Sequence, residues 1–81
     1  MYVIYGRDGC PFCTEALEII RNTGEEYEYR DTRRDPKAKA FLDDSGFRKV
    51  PQIFHNQKHI GGCDKLRRYV RSNDYDPNNL F

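Results

Sequence analysis

The stretch from Tyr2 to Cys13 constrains the fold of this chain more than any other. Tyr2-Val3-Ile4-Tyr5 is β-branched and aromatic throughout and reads as a strand buried on both faces. Gly6 to Gly9 reads as a loop, and Cys10-Pro11 as a helix start, because proline is favoured at the first helical position, where its missing N–H costs nothing. Cys13, Ala16, Leu17 and Ile20 then recur at helical spacing, which predicts a one-faced amphipathic helix with Thr14, Glu15, Glu18 and Arg21 outward. Gly24 is its expected stop.

The rest of the chain continues the alternation. Glu26 to Arg30 places Tyr27 and Tyr29 on one side of a second strand. Asp35-Pro36 starts a second helix, with Ala38, Phe41 and Leu42 inward and Gly46 at its end. Val50 to His55 and Lys58 to Ile60 read as strands three and four, joined by a tight turn at Asn56-Gln57. Gly61-Gly62 breaks the pattern, and from Cys63 a last helix turns Leu66, Tyr69 and Val70 to its apolar side. Asp74 to Phe81 reads as a loosely held tail. The order β-α-β-α-β-β-α predicts an α/β fold: a right-handed βαβ crossover, then a hairpin, forming a four-stranded mixed sheet flanked by helices.

Composition narrows the function. With 81 residues the chain has room for one core, so 1–81 is expected to be a single domain. It buries only about 60–65% of its unfolded surface. The hydrophobic fraction is only 37%, but six Tyr and five Phe supply large faces to bury, so the chain is expected to fold. Fourteen Lys and Arg against thirteen Asp and Glu leave a net charge of +1 with the signs mixed, which argues against a nucleic-acid partner. No apolar run reaches membrane-spanning length. The N-terminus is too short and aromatic for a signal peptide and is interrupted by Arg7, so a cytoplasmic location and no membrane partner are expected. Three cysteines make an odd number, which argues against a framework of structural disulfides. In a reducing compartment, cysteines at this spacing are more often catalytic or metal-binding.

Cys10-Pro11-Phe12-Cys13 lies where a strand feeds a helix. At the helix N-terminus the Cys10 sulfur faces unsatisfied backbone N–H groups and the positive end of the macrodipole, both of which favour thiolate over thiol. Arg7 adds a positive charge nearby. Cys13, one turn on and on the apolar face, is expected to be more buried and less ionised. This asymmetry makes Cys10 the attacking nucleophile and Cys13 the resolving thiol. Two other readings bear on the pair. A structural zinc site needs four ligands, and only Cys63, His55 and His59 are available besides the pair, without a second paired motif. The cysteines as inert core residues sit poorly with the helix-start proline and the nearby arginine. No metal is expected.

Four separated segments in order resemble the glutaredoxin family. Cys10-Pro11-Phe12-Cys13 differs from the family's usual CPYC by one hydroxyl, and Tyr5-Gly6-Arg7 resembles its Tyr-Thr-Lys stretch. Val50-Pro51-Gln52-Ile53-Phe54 and His59-Ile60-Gly61-Gly62-Cys63-Asp64 match its VPQIF and HIGGCD segments. The likeness is to dithiol members, including small bacterial and bacteriophage ones. It implies a thioredoxin-like fold, glutathione as reductant and co-substrate, and a monomer acting on glutathionylated or disulfide-bearing proteins. Ribonucleotide reductase is a frequent partner in the family.

The resemblance also assigns residues. Pro51 is expected to be cis, exposing the Val50 backbone to the cysteinyl part of glutathione. Gly61 to Asp64 would offer helix-start N–H groups to the γ-glutamyl carboxylate. Asp64 would meet the γ-glutamyl ammonium or cap the helix. Arg7 and Arg48 would meet the glycine carboxylate, with Arg48 and Lys49 as solvated charges the alternative. Phe12 would wall the sulfur. Cys63 would border the site or pack as a small apolar residue. Lys65 departs from the family's acidic or hydroxyl residue, and with Arg67, Arg68 and Arg71 it forms a basic helix face that is solvated or docks acidic protein substrates. A thioredoxin-like reductase driven by a flavoprotein and a glutathione-ligated iron–sulfur carrier are the rival functions. The missing Trp and the retained Cys13 count against them.

Overall fold

Alternation along the first strand decides where the helices pack. In a computed structural model that describes residues 1–74, with side chains through Ser72, β1 spans Tyr2–Gly6. Tyr2 and Ile4 face one side of the sheet and Val3 and Tyr5 the other, as the two-residue period of a strand requires. The first side, with Ile53, is covered by α1 (Pro11–Thr23) and α3 (Cys63–Asp74), which bring Ala16, Ile20, Cys63 and Leu66. The second side is covered by α2 (Pro36–Asp44), where Tyr5 packs with Ala38 and Leu42 beneath Phe47 and Phe54.

The sheet order is β2-β1-β3-β4, with β2 at Tyr27–Asp31, β3 at Gln52–His55 and β4 at Lys58–Gly61. β1 runs parallel to β2 and antiparallel to β3, and β3 is antiparallel to β4. This mixed sheet is the thioredoxin-like arrangement. The register has a direct consequence for the site. Gly6 pairs with Asp31, Tyr5 with Gln52, and Ile53 with Gly61. The segments after β1 and β2, before β3 and after β4 therefore all emerge at one end of the sheet.

Local signals set the ends. Gly24 takes the left-handed conformation at φ 78° and its N–H donates to the Arg21 carbonyl, ending α1. Asp35 caps α2 by accepting the Lys37 N–H at 3.0 Å. Asn56 and Gln57 both have positive φ, the turn that matches hairpin twist.

Several expectations change. β3 begins at Gln52 rather than Val50, because Val50-Pro51 is a cis bond and stands outside the ladder. Phe41 is not inward: it is 40% exposed, lying over Tyr5 with ring centroids 5.0 Å apart. His55 is more than a strand residue, since it stacks on Tyr2 and links Tyr69 and Glu25 through its two ring nitrogens. Asp74 belongs to α3, and the rest of the expected tail lies outside the described residues. Among the described residues no helix is long and apolar enough to cross a membrane.

Candidate active site

Cys10 is the N-cap residue of α1, with extended backbone (φ −102°, ψ 110°) and Pro11 at the first helical position. Its sulfur accepts the Cys13 N–H at 3.3 Å, and its carbonyl accepts the Thr14 N–H at 3.2 Å. No acidic residue sits in the first turn of α1 to offset the positive end of the helix. On its other side Cys10 Sγ lies 4.0 Å from the Val50 carbonyl oxygen, just before cis-Pro51. All three cysteines are free thiols.

Cys10 is partly exposed, whereas Cys13 is 1% exposed. Burial pushes the Cys13 thiol up to about 12, with further increases from its hydrogen bond and charge interaction with Cys10. The Arg7 backbone and charge pull in the opposite direction. In burial the pair is asymmetric along α1: the N-cap thiol meets the Cys13 N–H and solvent, and the thiol one turn later meets the core.

The sequence-predicted residues divide between two adjoining depressions. A groove of about 410 Å³ beside the cysteines is lined by Phe12, Val50, Pro51, Cys63 and Asp64, together with Lys49, Gln52, Gly62 and Lys65. Phe12 stands 59% exposed at its rim. Arg7 and Arg48 lie instead in a neighbouring cleft, which shares Lys49 and Val50 with the groove. Asp64 does not cap α3. It lies in the first turn, the Gly62 carbonyl accepts the Leu66 N–H, and the Asp64 carboxylate faces Arg67 at 3.4 Å. Lys65 folds its stem across Gly61, whose φ of 126° and lack of a side chain leave room for it.

Cys63 is 5% exposed, packed in the core, and also lines the groove beside the cysteine pair. Its thiol donates to the Glu15 carboxylate at 3.2 Å, and Glu15 also pairs with Arg67. Burial and Glu15 together push Cys63 up to about 11. The Cys63 hydrogen bond, and then Arg67, hold Glu15 below the usual carboxylate value. Arg67 is thus not simply a solvated cation.

Gly6, Glu15, Arg67 and Tyr29 are the parts that sequence reasoning missed. A Cβ on Gly6 would sit 2.7 Å from the Tyr29 hydroxyl and 3.1 Å from Cys13 Sγ, so this glycine makes room for both. Burial pushes Tyr29 up to about 12, with Cys13 the next contributor. Helical spacing placed Glu15 outward on α1, and its partner lies 48 residues away, so no local pattern could reveal the pairing. Among the described residues, no group of three or more His, Cys, Asp or Glu is placed to hold a metal ion.

Known proteins share this arrangement. The Glutaredoxin family model matches residues 2–60. Glutaredoxin 1 of Salmonella typhimurium is 38% identical over 79 residues, covering 88% of this chain and 91% of the relative. The structure of a buckwheat glutaredoxin in complex with glutathione superposes with a TM-score of 0.75 at 26% identity, over 89% of this chain and 69% of that one. NrdH-redoxin from Escherichia coli, a glutaredoxin-like protein with a thioredoxin-like activity profile, superposes with a TM-score of 0.71 at 28% identity, over 83% and 91% of the two chains. A redox-active cysteine pair at the head of α1, on this sheet and beside this proline, places the chain in the glutaredoxin family of thiol–disulfide oxidoreductases.

Proposed function

We propose that residues 1–81 form one glutaredoxin domain that uses glutathione to reduce protein–glutathione mixed disulfides and protein disulfides in the cytoplasm. The observation that carries the reading is the pairing of a partly exposed Cys10 at the helix N-terminus with a buried Cys13, beside the open backbone of Val50.

In the first reaction the Cys10 thiolate attacks the glutathione sulfur of a mixed disulfide. The protein thiolate leaves, and glutathione is now bonded to Cys10. A second glutathione thiolate attacks that bond, releasing oxidised glutathione and restoring the Cys10 thiolate. With a protein disulfide, Cys10 forms the mixed disulfide. Cys13 then loses its proton and attacks the Cys10 sulfur, releasing the reduced protein. Two glutathione molecules reduce the Cys10–Cys13 bond. Two of the influences that raise Cys13 come from Cys10 itself. Once Cys10 is in a disulfide, those two influences are removed and only burial still raises the Cys13 thiol.

Glutathione is proposed to lie with its cysteine along Val50 and Pro51, against Phe12 and Cys63. Its γ-glutamyl end points to the α3 start at Gly62–Asp64 and its glycine carboxylate to Arg7 and Arg48. The buckwheat relative, solved in complex with glutathione, supports glutathione as the ligand. Because Asp64 is already engaged with Arg67, its hold on the γ-glutamyl ammonium is shared.

The likeness to NrdH-redoxin favours one second reading, reduction by a thioredoxin reductase. The two are separated by supplying a glutathionylated peptide with glutathione and glutathione reductase, or with thioredoxin reductase. Turnover with the first and not the second is expected. The reverse result overturns the glutathione assignment.

A further inference from the structure

The cleft next to Cys10 gathers positive charge that the overall composition conceals. Arg7, Arg33, Lys39, Arg48 and Lys49 line it with Asp43 as the lone acid, in a chain whose net charge is +1. Lys39 is paired with Asp43 at 2.9 Å. Among the described residues, the side chains of Arg7, Arg33, Arg48 and Lys49 make no ion pair, and all four are exposed.

Arg33 is held there by the β2–α2 turn. The Asp31 carboxylate accepts the Arg33 N–H at 2.8 Å and the Arg34 N–H at 3.3 Å, fixing the turn's shape. The Arg34 side chain is neutralised by Asp8 and Asp31, while Arg33 keeps its charge for the cleft.

We infer that this cleft is a docking surface for an acidic, extended segment of the disulfide-bearing protein substrate. The inference rests on Cys10 being the nucleophile. Val50, whose carbonyl lies beside Cys10, lines the cleft as well as the groove, so the cleft is within reach of a chain joined to Cys10. One tripeptide carboxylate does not match four unpaired cations. The volume, about 1020 Å³, is at the upper end of the ~300–1,000 Å³ of small-molecule sites, and the lining is charged rather than apolar. Complementary charge of this kind steers encounter and selects partners.

Arg33 tests the idea, since it has no part in the proposed glutathione site. Disulfide-bonded peptides with acidic, neutral or basic flanks are reduced, with glutathione and glutathione reductase as electron source, by the wild type and by Arg33→Glu, at low and at high salt. The acidic peptide is expected to lose about 3- to 10-fold in kcat/KM, mostly through KM, and the loss shrinks with salt. The neutral peptide stays within about twofold and the basic one gains. Equal changes for all three peptides, or none, overturn the inference. Failure of the wild type on the neutral peptide instead sinks the glutathione reading. Docking is then decided without turnover, by anisotropy of a labelled acidic peptide carrying Ser for Cys. Weaker binding to Arg33→Glu supports the cleft, and unchanged binding overturns it. A single-stranded oligonucleotide of equal charge that competes as well as the peptide also overturns the assignment, by making the cleft a general polyanion site.

Discussion

The two faces of the sheet are built differently, and the chemistry follows the division. The α1–α3 face is a continuous apolar layer in which Ile4, Ile20, Ile53 and Leu66 are fully buried, with Cys13 and Cys63 sunk beside them. The α2 face is smaller and aromatic: Tyr5, Phe41, Phe47 and Phe54 contact one another edge-on or stacked, and Phe41 is left 40% exposed. The first face holds thiols in their protonated form by denying them water. The second leaves an open, positively charged cleft. Cys10 stands at the end of the sheet where both faces can be reached, which lets a buried resolving thiol and an accessible partner surface serve one sulfur.

The largest effect expected is on chemistry. Cys10→Ser should lower turnover by at least about 1000-fold on every substrate, since no second group replaces a lost nucleophile. Cys13→Ser should keep reduction of glutathionylated peptides and lose most reduction of protein disulfides. Parallel assays of both substrates check the pair. Stability comes next. Leu66→Ala, in the denser face, should cost about 3–4 kcal/mol and Leu42→Ala, under α2, about 2 kcal/mol, measured by urea unfolding. Equal costs would mean that the two faces are packed alike. Gly6→Ala should cost about 1–3 kcal/mol by pushing its methyl onto Tyr29 and Cys13, with part of the loss recovered in the Gly6→Ala/Tyr29→Phe double variant.

A smaller effect follows from protons. Cys13 and Cys63 keep theirs in the folded state to about 12 and about 11, against an ordinary thiol value of 9.0. Above pH 9 the unfolded chain therefore binds fewer protons than the folded one, so stability should fall as pH rises toward 11 to 12. Thermal melts of the reduced protein across that range check the sign, and Cys13→Ala should flatten the decline. Glu15→Gln, the mildest change, should make Cys63 easier to alkylate by removing the carboxylate that raises it.

Much of this was legible in the sequence because it is local. The Pro11 helix start, the Gly24 stop, the Asn56-Gln57 turn and the alternation of β1 each rest on a few neighbouring residues, and each appears in the structure. The element order and the cysteine asymmetry followed from them. What escaped depends on distant pairing. Glu15 meets Cys63 and Arg67 only after α1 and α3 pack, and the room that Gly6 leaves for Tyr29 exists only in the parallel register of β1 and β2. Charge concentration was hidden for the same reason. Arg7, Arg33 and Arg48 are far apart in the chain and converge because the sheet register brings three connections to one end.

The central claim is that burial has divided the labour between two thiols one turn apart. Alkylation of the reduced protein with iodoacetamide, mapped residue by residue across pH 5 to 12, tests it directly. Cys10 should be modified throughout the neutral range while Cys13, in its buried environment at about 12, stays unlabelled until the alkaline end. Labelling of Cys13 at neutral pH at the same rate as Cys10 would contradict the account.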